Sequence, residues 1–359
     1  MKKEYKKLKK LIKKYDNILI LTHKGPDFDG FASGLILKKF INTVYPKKLV
    51  SFKARHHPTQ KISFMHEIEI AQVIQLGKEE LIIIVDANSW DMCITKEDSI
   101  NLTKAKVAVI DHHNTKAMEA EVIINEDLSS TAEQVLKITE KIGGKKWKIT
   151  DGIAFLGQVG IVYDTGRMLY ESTSPETYQL MAKLRRIFPV DLEAFEYRNF
   201  KFPMDTLLPL KIYIQNIHIQ GDMAYTYISK QDIQVNRISK IGLNAAQEFV
   251  RDKILRYIQG VHWCFIIKPY LKKENEWRVS FRSMKGYQEV AKIAEALGGG
   301  GHQYAAASKI QATDSNEATQ KVLQTISQAV NKNSGDNSQQ PAPTIFSSST
   351  PPQSPLPST

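Results

Sequence analysis

The sequence predicts an α/β protein with two domains, a doubly wound parallel sheet first and a smaller α/β domain with a mixed sheet second. Three short, continuously apolar runs, Asn17–Thr22, Leu81–Val85 and Val107–Ile110, are typical of parallel strands buried on both faces. Further strand patterns follow in the second half. At 359 residues the chain exceeds the usual length of one domain, and its 42% hydrophobic content is sufficient for a core.

Residues 1–16 predict a basic amphipathic helix. Eight lysines and one glutamate between residues 2 and 14 give this segment a net charge of +7, out of +11 for the chain, which leaves about +4 elsewhere. An apolar stripe recurs at near-helical spacing, and we expect it to pack on the first domain; its residues are Tyr5, Leu8, Leu11, Ile12 and Tyr15. A solvated lysine face is favoured over a membrane-surface or RNA-guiding role. The nearly neutral remainder suits small substrates, because long duplexes are bound through many phosphate contacts.

Side chains that commonly bind metal ions, Asp and His, follow each of the three apolar runs, and another ends an apolar helix. The first run leads into His23-Lys24-Gly25-Pro26-Asp27-Phe28-Asp29, the second into Asp86, and the third into Asp111-His112-His113. The segment Ile153–Asp164 is too long for an ordinary strand and its small residues recur at helical intervals, so it predicts a packed helix that ends at Asp164.

The strand ends should meet, because the carboxyl ends of parallel strands share one edge of a sheet and ligands bind outside that edge. One Asp after a strand is usually a turn or a helix cap. Four such segments carrying carboxylates and imidazoles instead indicate a two-metal hydrolase. The helix predicted over Asp29–Phe40 has small residues in its first turn, which allow either an anion near its N-terminus or close packing on the sheet.

The second half predicts a linker, a sheet and an unfolded tail. Ser174-Pro175-Glu176-Thr177 is typical of a capped helix start, and residues 188–210 are predicted as the linker. A cleft between the two domains would take short substrates. Strands are predicted over Ile212–Ile219, Met223–Ile228, Trp263–Pro269 and Trp277–Arg282. Residues 331–359, rich in Ser, Pro and Thr, predict a disordered tail.

The sequence gives no sign of a membrane span or a signal peptide, because no apolar stretch is long enough for either. Its two cysteines, Cys93 and Cys264, lie in different predicted domains and form neither a disulfide framework nor a metal cluster. A cytoplasmic location is therefore expected.

Two sets of motifs together resemble the DHH phosphoesterase family. His23-x-x-Pro26-Asp27-x-Asp29-Gly30, Asp86, Asp111-His112-His113 and Asp164-Thr165-Gly166 are similar to its metal-binding motifs in order and type. Ser280-Phe281-Arg282-Ser283 and residues 294–307 resemble the DHH-associated C-terminal domain. The resemblance spans about residues 15–325, and its layout is similar to the stand-alone oligoribonuclease and pAp phosphatase members. It divides the chain into a catalytic domain (1–187), the linker (188–210), a substrate-binding domain (211–330) and the tail (331–359).

The resemblance implies two divalent metal ions. One would be held by His23, Asp27 and Asp86, and the other by Asp29, Asp86, His112 and Asp164. Manganese is expected, because the ligands are carboxylates and imidazoles without thiolate. Asp111 would orient a histidine, and His113 would bind phosphate or assist the leaving group.

A terminal phosphate or nucleotide would be held in the second domain, because backbone amides, an imidazole and a guanidinium suit that ligand. The expected substrate-binding residues are Arg282, Ser283, Gly299, Gly300, Gly301 and His302. The sequence departs from the family pattern at Lys24-Gly25, where an Asn often precedes the proline, and at Ala307, where a Gly is common. Neither position is an implied ligand.

The implied activity is hydrolysis of very short oligoribonucleotides, and in some members of pAp, by water activated between two metal ions. A phosphodiesterase for cyclic dinucleotides or their linear products is an open alternative. Family pyrophosphatases and single-strand exonucleases are disfavoured by the nucleotide-type second domain and by the absence of extra domains. A non-catalytic nucleotide-binding regulator is also disfavoured, because the ligand set is complete. A homodimer is possible on general grounds.

Overall fold

The computed structural model describes residues 2–55, 68–71, 74–77, 79–95, 98–100, 105–113, 118–199, 201–271 and 273–333. The chain divides into two compact units, Met1–Lys201 and Phe202–Thr359. No helix within these described ranges combines the length and the apolar character that a bilayer crossing needs.

The first unit alternates strands and helices. Its strands are β1 (Asn17–Leu21), β2 (Leu49–Ala54), β3 (Glu69–Ile70), β4 (Gln75–Leu76), β5 (Leu81–Val85), β6 (Ser99–Ile100), β7 (Lys106–Ile110) and β8 (Val122–Ile124). Its helices are α1 (Lys3–Lys14), α2 (Phe28–Val44), α3 (Trp90–Cys93), α4 (Thr131–Gly143), α5 (Asp151–Asp164), α6 (Pro175–Ile187) and α7 (Leu192–Asn199).

Six of these strands form one parallel sheet in the order β3-β2-β1-β5-β7-β8, which confirms the predicted fold class of this domain. Strand β1 lies between β2 and β5, with Ile18 opposite Leu81, and β5 pairs with β7. The carboxyl ends of β1, β5 and β7 therefore meet in the middle of one edge. Strands β4 and β6 form a separate pair.

The central strands are apolar throughout because both faces of the sheet are covered. Ile18 and Ile20 of β1 face the larger core, which includes apolar residues of α1, α2, α4 and α5, whereas Leu19 and Leu21 face a smaller core with Cys93. Helix α1 buries Tyr5, Leu8 and Ile12, as the sequence predicts. The start of α6 is also as predicted, with a capping box between Ser174 and Thr177.

The second unit is a mixed α/β domain. Its helices are α8 (Leu207–Gln215), α9 (Lys230–Val235), α10 (Lys240–Phe249), α11 (Val290–Ala296) and α12 (Ser315–Asn333). Its strands are β9 (His218–Gln220), β10 (Met223–Tyr227), β11 (Trp263–Pro269), β12 (Glu276–Ser283), β13 (Gly300–His302) and β14 (Ala305–Gln311). They form one sheet in the order β13-β14-β12-β11-β10-β9, in which only β10 and β11 pair in parallel among the described strands.

Three local predictions differ from the structure. Residues 188–210 are not an extended linker, because α7 and the start of α8 lie within them, although the boundary between the units falls there. The predicted strand Ile212–Ile219 is wrong: residues up to Gln215 are helical, since Pro209 is compatible with a first helical turn and Tyr213 is fully buried. Residues 331–333 continue α12, and the rest of the predicted tail lies outside the described residues.

Candidate metal centre

Asp86 lies at the centre of the cluster that follows the strand ends. It comes directly after β5, is 3% exposed, and has a φ of +55°, in the left-handed region that Asp and Asn tolerate better than most residues. This turn directs its carboxylate into the cluster. Oδ1 accepts a 3.1 Å hydrogen bond from Thr131 Oγ1, which fixes one side of the carboxylate.

His23 and Asp27 lie on one side of Asp86. His23 Nε2 is 3.6 Å from Asp86 Oδ2 and 3.8 Å from Asp27 Oδ1. Asp27 is also the N-cap of α2, because its Oδ1 accepts hydrogen bonds from the backbone N–H groups of Asp29 and Gly30. The helix-capping and metal-ligand interpretations of this residue are therefore compatible, since the second carboxylate oxygen is not used in the cap.

His112 and Asp164 lie on the other side. His112 Nε2 is 2.9 Å from Asp164 Oδ2 and 3.9 Å from Asp86 Oδ1. Asp164 is the last residue of α5, and the turn after it has positive φ at Gly166, Arg167 and Met168. Two consecutive non-glycine residues in that region mark a strained turn, which ends the helix where its carboxylate reaches the cluster.

Asp29 completes this side and is fully buried. Its two carboxylate oxygens accept hydrogen bonds from the backbone N–H groups of Thr131, at 2.7 Å, and Ala132, at 2.8 Å. These are the first residues of α4, whose N-terminal N–H groups favour an anion. Asp29 is thus anchored by a helix that starts about one hundred residues later in the chain.

The ligand atoms form overlapping groups that share Asp86. His23, Asp27 and Asp86 form one group, and Asp29, Asp86, His112 and Asp164 form another, with all ligand atoms of a group within 4.8 Å of one another. A third group joins Asp86 to His112 and His113. All six predicted ligands are therefore brought together, and Asp86 is the residue common to the groups.

Crowding of negative charge dominates the electrostatics of this cluster. Burial, together with the charges of Asp27 and Asp164, raises the pKa of Asp86 to about 7. Burial and the charges of Asp164, Asp86 and Asp27 also raise the pKa of Asp29 well above its usual value, against the lowering effect of its backbone hydrogen bonds. Both residues are costly to ionise without a cation, and a bound cation removes that cost.

The donor set fits divalent metal ions. His112 Nε2 is buried among carboxylates. Although Asp164 Oδ2 lies 2.9 Å away, the direction of this contact is not that of a hydrogen bond, and no other described residue bonds to this nitrogen. Carboxylate and imidazole ligands bind Mn²⁺, Fe²⁺, Co²⁺ or Zn²⁺, and two sets that share a carboxylate are suited to a two-ion site. An orphaned imidazole nitrogen facing acidic oxygens is what a ligand to such an ion requires.

His113 lies beside the ligands and is held by Asp111. Nδ1 donates a 2.8 Å hydrogen bond to Asp111 Oδ1, while Asp111 Oδ2 accepts one from Asn88 Nδ2 at 3.0 Å. This bond to Asp111 is the largest cause that raises the pKa of His113, to about 9. The His113 side chain is 42% exposed, so it presents a cation to solvent at the cluster.

Two glycines make room for the cluster. A Cβ on Gly30 would lie 2.6 Å from Thr22 Oγ1 and 3.0 Å from Asp86 Oδ2. A Cβ on Gly160 would lie 2.7 Å from the Ala132 side chain and 3.1 Å from Asp29 Oδ1. Close packing is thus one reason for small residues in α2. The first N–H groups of α2 are occupied by Asp27, so the alternative prediction of an anion at those groups is not supported.

Sequence reasoning missed Thr131, Ala132 and Asn88. Ser130 caps α4 and Glu133 follows three residues later, a pattern that marks a helix start in the sequence. Nothing in the pattern indicates that Asp29 is the carboxylate bound there. Asn88 follows Asp86 by two residues, and only the fold places it beside Asp111.

The predicted substrate-binding residues of the second unit differ in burial and in the partners that they contact. Arg282 Nη1 donates to the carbonyl of Phe281, and its Nε lies 3.5 Å from Asp252 Oδ1. Ser283 is buried and donates to the carbonyl of Met284. His302 is exposed in the hairpin of β13 and β14, opposite Ala305.

The glycine run has a structural explanation at two positions. A Cβ on Gly299 would lie 2.2 Å from the Ala307 carbonyl oxygen, and Gly301 has a φ of +147° with the Ala305 carbonyl oxygen 2.6 Å from a Cβ position. Gly300 has open space around its Cβ position. Close approach of the backbone therefore requires glycine at 299 and 301 whatever the substrate.

A basic pocket of about 670 Å³ lies on the second unit. Four cationic residues line it, together with Glu248, and Gly299 is the one predicted substrate-binding residue in its described lining. The cations are Arg251, Lys268, Arg278 and Lys309. Burial and the charge of Arg278 lower the pKa of Lys268 to about 8, and its Nζ donates to Asn244 Oδ1. Sequence reasoning missed this pocket because its cations come from β11, β12, β14 and the segment after α10.

Comparison with known families matches both units. Residues 17–161 match the model of the DHH family, N-terminal domain, and residues 235–332 match that of the DHHA1 domain. The first match contains His23, Asp27, Asp29, Asp86 and the Asp111-His112-His113 triplet, and it ends three residues before Asp164.

Similar proteins cover most of the chain. The bifunctional oligoribonuclease and PAP phosphatase NrnA of Bacillus subtilis is 24% identical, over 87% of this chain and 95% of its own length. The protein of that name from Mycoplasma genitalium is 29% identical, over 82% of this chain and 88% of its own length. An exopolyphosphatase-related protein of Bacteroides fragilis has a similar fold, with a TM-score of 0.75, 18% identity, and coverage of 92% of this chain and 96% of its own.

Proposed function

Because this chain belongs to the DHH family of phosphoesterases and carries a DHHA1 domain in its second half, we propose that it hydrolyses very short oligoribonucleotides to mononucleotides and removes the 3′-phosphate of pAp. The names of the relatives from Bacillus subtilis and Mycoplasma genitalium support this substrate class. The single observation that carries the proposal is the pair of ligand groups that share Asp86.

The proposed cofactor is a pair of divalent ions, with Mn²⁺ favoured by an oxygen and imidazole donor set without thiolate. His23, Asp27 and Asp86 would hold one ion, and Asp29, Asp86, His112 and Asp164 the other. Two such ions supply a more acidic water and shield negative charge on phosphoryl oxygens. The protein's contribution is to fix the ligands: helix α4 holds Asp29, and Thr131 holds Asp86.

His113 is the proposed acid or phosphate-binding group. Its Nδ1–H is committed to Asp111, and its side chain is 42% exposed, so Nε2–H would be the donor available to a substrate. The bond to Asp111 favours the imidazolium, which can bind a phosphoryl oxygen or donate a proton to a leaving oxygen. Asn88 holds Asp111 in turn, so this chain of contacts orients the ring.

The second unit is proposed to bind the nucleotide part of the substrate. Arg282 and His302 are candidates from the sequence, and the basic pocket adds Arg251, Lys268 and Arg278. Clustered guanidinium and ammonium groups bind phosphate oxygens through charge-assisted hydrogen bonds. The pocket volume of about 670 Å³ is in the range of small-molecule sites and suits nucleotides rather than a long duplex.

The test is a side-by-side turnover assay with Mn²⁺ on pAp, a diribonucleotide and a cyclic dinucleotide. We expect turnover of pAp and the diribonucleotide, and loss of both in Asp86→Asn. The matched control is Asp151→Asn, which changes an exposed carboxylate at the far end of α5. Preferential turnover of the cyclic dinucleotide would move the assignment to that class. Binding of pAp and Mn²⁺ without any turnover would favour a nucleotide-binding regulator.

A further inference from the structure

A second basic pocket lies on the first unit, between the end of α2 and the start of α5. Its volume is about 460 Å³, and five lysines line it, with no Asp or Glu among the described lining residues. Lys38 and Lys39 come from α2, and Lys145, Lys146 and Lys148 come from the segment before α5. Neither the metal centre nor the basic pocket of the second unit contains these lysines.

The pocket is remote from the metal centre. Helix α2 begins beside Asp27 and α5 ends at Asp164, whereas the pocket is built from the opposite ends of both helices. At a rise of about 1.5 Å per residue, the α5 residues between Thr150 and Asp164 separate the two places by roughly 20 Å. A ligand in this pocket would therefore not touch the metal ligands.

The floor of the pocket includes an unsatisfied polar group. Trp147 is 8% exposed, packs edge to face on Phe40 with ring centroids 5.2 Å apart, and lines the pocket. Its indole Nε1–H has no hydrogen-bond acceptor among the described residues. A buried donor without an acceptor costs free energy, and an anionic oxygen that reached this group from the pocket would remove that cost.

Three of the pocket's lysines have no anionic partner among the described residues. Lys145, Lys146 and Lys148 are exposed and form no ion pair with any described residue. The N-terminus of α5 also borders the pocket through Thr150, although Asp151 in the first turn offsets part of its positive potential. The ammonium groups of these three lysines repel one another, and a multivalent anion reduces that repulsion.

We propose that this pocket binds the polyphosphate group of a small anion, such as inorganic triphosphate or a nucleoside triphosphate. The size of the pocket favours a compact ligand over the backbone of an RNA strand, since 460 Å³ lies within the range of small-molecule sites. The site is separate from the catalytic proposal, because its lining and its distance from Asp164 do not depend on which ester is hydrolysed.

The experiment follows the indole N–H signals of the full-length protein by NMR in EDTA, which prevents metal-dependent phosphate binding. The chain has four Trp residues, and Trp147→Phe identifies the signal of Trp147. We expect saturable shifts of this signal with inorganic triphosphate, and about a tenfold weaker dissociation constant in Lys145→Ala/Lys148→Ala. The matched control Lys6→Ala/Lys10→Ala removes the same charge from the exposed face of α1 and should stay within about twofold of the wild type, because screening weakens remote surface charges.

Three outcomes would overturn the proposal. The first is no shift of the Trp147 signal, and the second is equal weakening in both double variants, which would indicate a general effect of net charge. The third is a shift with a single-stranded oligoribonucleotide at concentrations where triphosphate gives none, which would assign the pocket to RNA. Nucleoside triphosphate binding equal to that of inorganic triphosphate would place the recognition on the phosphates alone. Because binding is read without metal and without turnover, failure here leaves the hydrolase proposal intact.

Discussion

Thr131 Oγ1 donates a 3.1 Å hydrogen bond to Asp86 Oδ1, and the backbone N–H of the same Thr131 donates to Asp29. One residue at the start of α4 therefore holds two carboxylates from two other elements. Asp86 is common to both proposed ligand sets, so its orientation affects both ions. Thr131 is a positioning residue, since it acts through Asp86.

Removing this hydroxyl should weaken metal binding without unfolding the protein. Thr131→Val keeps the shape and the backbone N–H, and we expect roughly tenfold lower Mn²⁺ affinity by calorimetric titration, as for other groups that orient metal ligands. Thr131→Ser should restore most of the affinity. Thr139→Val removes a buried hydroxyl elsewhere in α4 and should leave affinity unchanged. Equal losses in the Thr131→Val and Thr139→Val proteins would show a general effect on the helix instead.

Asp86→Asn should stabilise the metal-free protein and remove its response to metal. Burial and the nearby Asp27 and Asp164 make ionised Asp86 costly, whereas Asn keeps the left-handed backbone at this position without the charge. The pKa of Asp86, about 7, lies above the value in the unfolded chain. The contribution of Asp86 to the stability of the metal-free protein is therefore full at low pH and is lost as the pH rises through 7.

The measurement is the melting temperature of both proteins at pH 8, with EDTA and with saturating Mn²⁺. Without metal the variant should melt a few degrees higher, because about 1 kcal/mol shifts a domain of this size by about 2–4 °C. Saturating Mn²⁺ should raise the melting temperature of the wild type and leave that of the variant unchanged. A wild type that is insensitive to Mn²⁺ would argue against the metal centre.

Adding one methyl group at Gly30 should disturb the centre directly. The new Cβ would lie within 3.0 Å of Thr22 and Asp86, where neither can move far, since both are buried. We expect Gly30→Ala to cost about 1–3 kcal/mol of the free energy of unfolding, as for other overpacked sites. Urea titration measures this cost.

Gly152→Ala is the control for that substitution, because its Cβ meets nothing within 4 Å and it lies in the first turn of α5. It should be neutral or stabilising by up to about 1 kcal/mol, as alanine is a better helix former. If the Gly30→Ala protein kept the stability and the Mn²⁺ affinity of the wild type, the prediction would be wrong, because Thr22 and Asp86 would then move aside for the methyl group without cost.

The sequence predicts the first unit well because its signals are local. Continuous apolar runs identify β1, β5 and β7, and residues directly after each strand must lie at its carboxyl end, so His23, Asp86 and His112 were predictable as neighbours. The anchoring of Asp29 by α4 was not, because a helix N-terminus attracts any carboxylate and the sequence does not specify which one.

Tertiary packing accounts for the failures in the second unit. The alternating pattern after Lys211 predicts a strand, yet burial of Tyr213 and the hydrogen bond from Thr226 Oγ1 to its carbonyl hold a helix there. Short apolar segments do not distinguish the residue periodicity of a helix from that of a strand. The basic pocket was equally hidden, because Lys268 and Arg278 are separated in sequence and meet only through the pairing of β11 with β12.

Phosphate binding in the basic pocket of the second unit should weaken as the pH rises through about 8. Burial and Arg278 lower the pKa of Lys268 to that value, so its ammonium is present at pH 7 and largely absent at pH 9. The unfolded chain keeps an ordinary lysine pKa and binds more protons over this range, so the same group makes the fold slightly more stable as the pH increases. Binding and stability should therefore change in opposite directions as the pH rises.

Calorimetric titration with pAp in EDTA at pH 7 and pH 9 measures the change in binding. The variant Lys268→Arg keeps its charge at pH 9, so it should remove most of the pH dependence of binding. Lys240→Arg, on an exposed lysine at the start of α10, is the matched control and should leave the pH dependence unchanged. A pH dependence that survives Lys268→Arg would place the titrating group elsewhere and remove Lys268 from the proposed phosphate contacts.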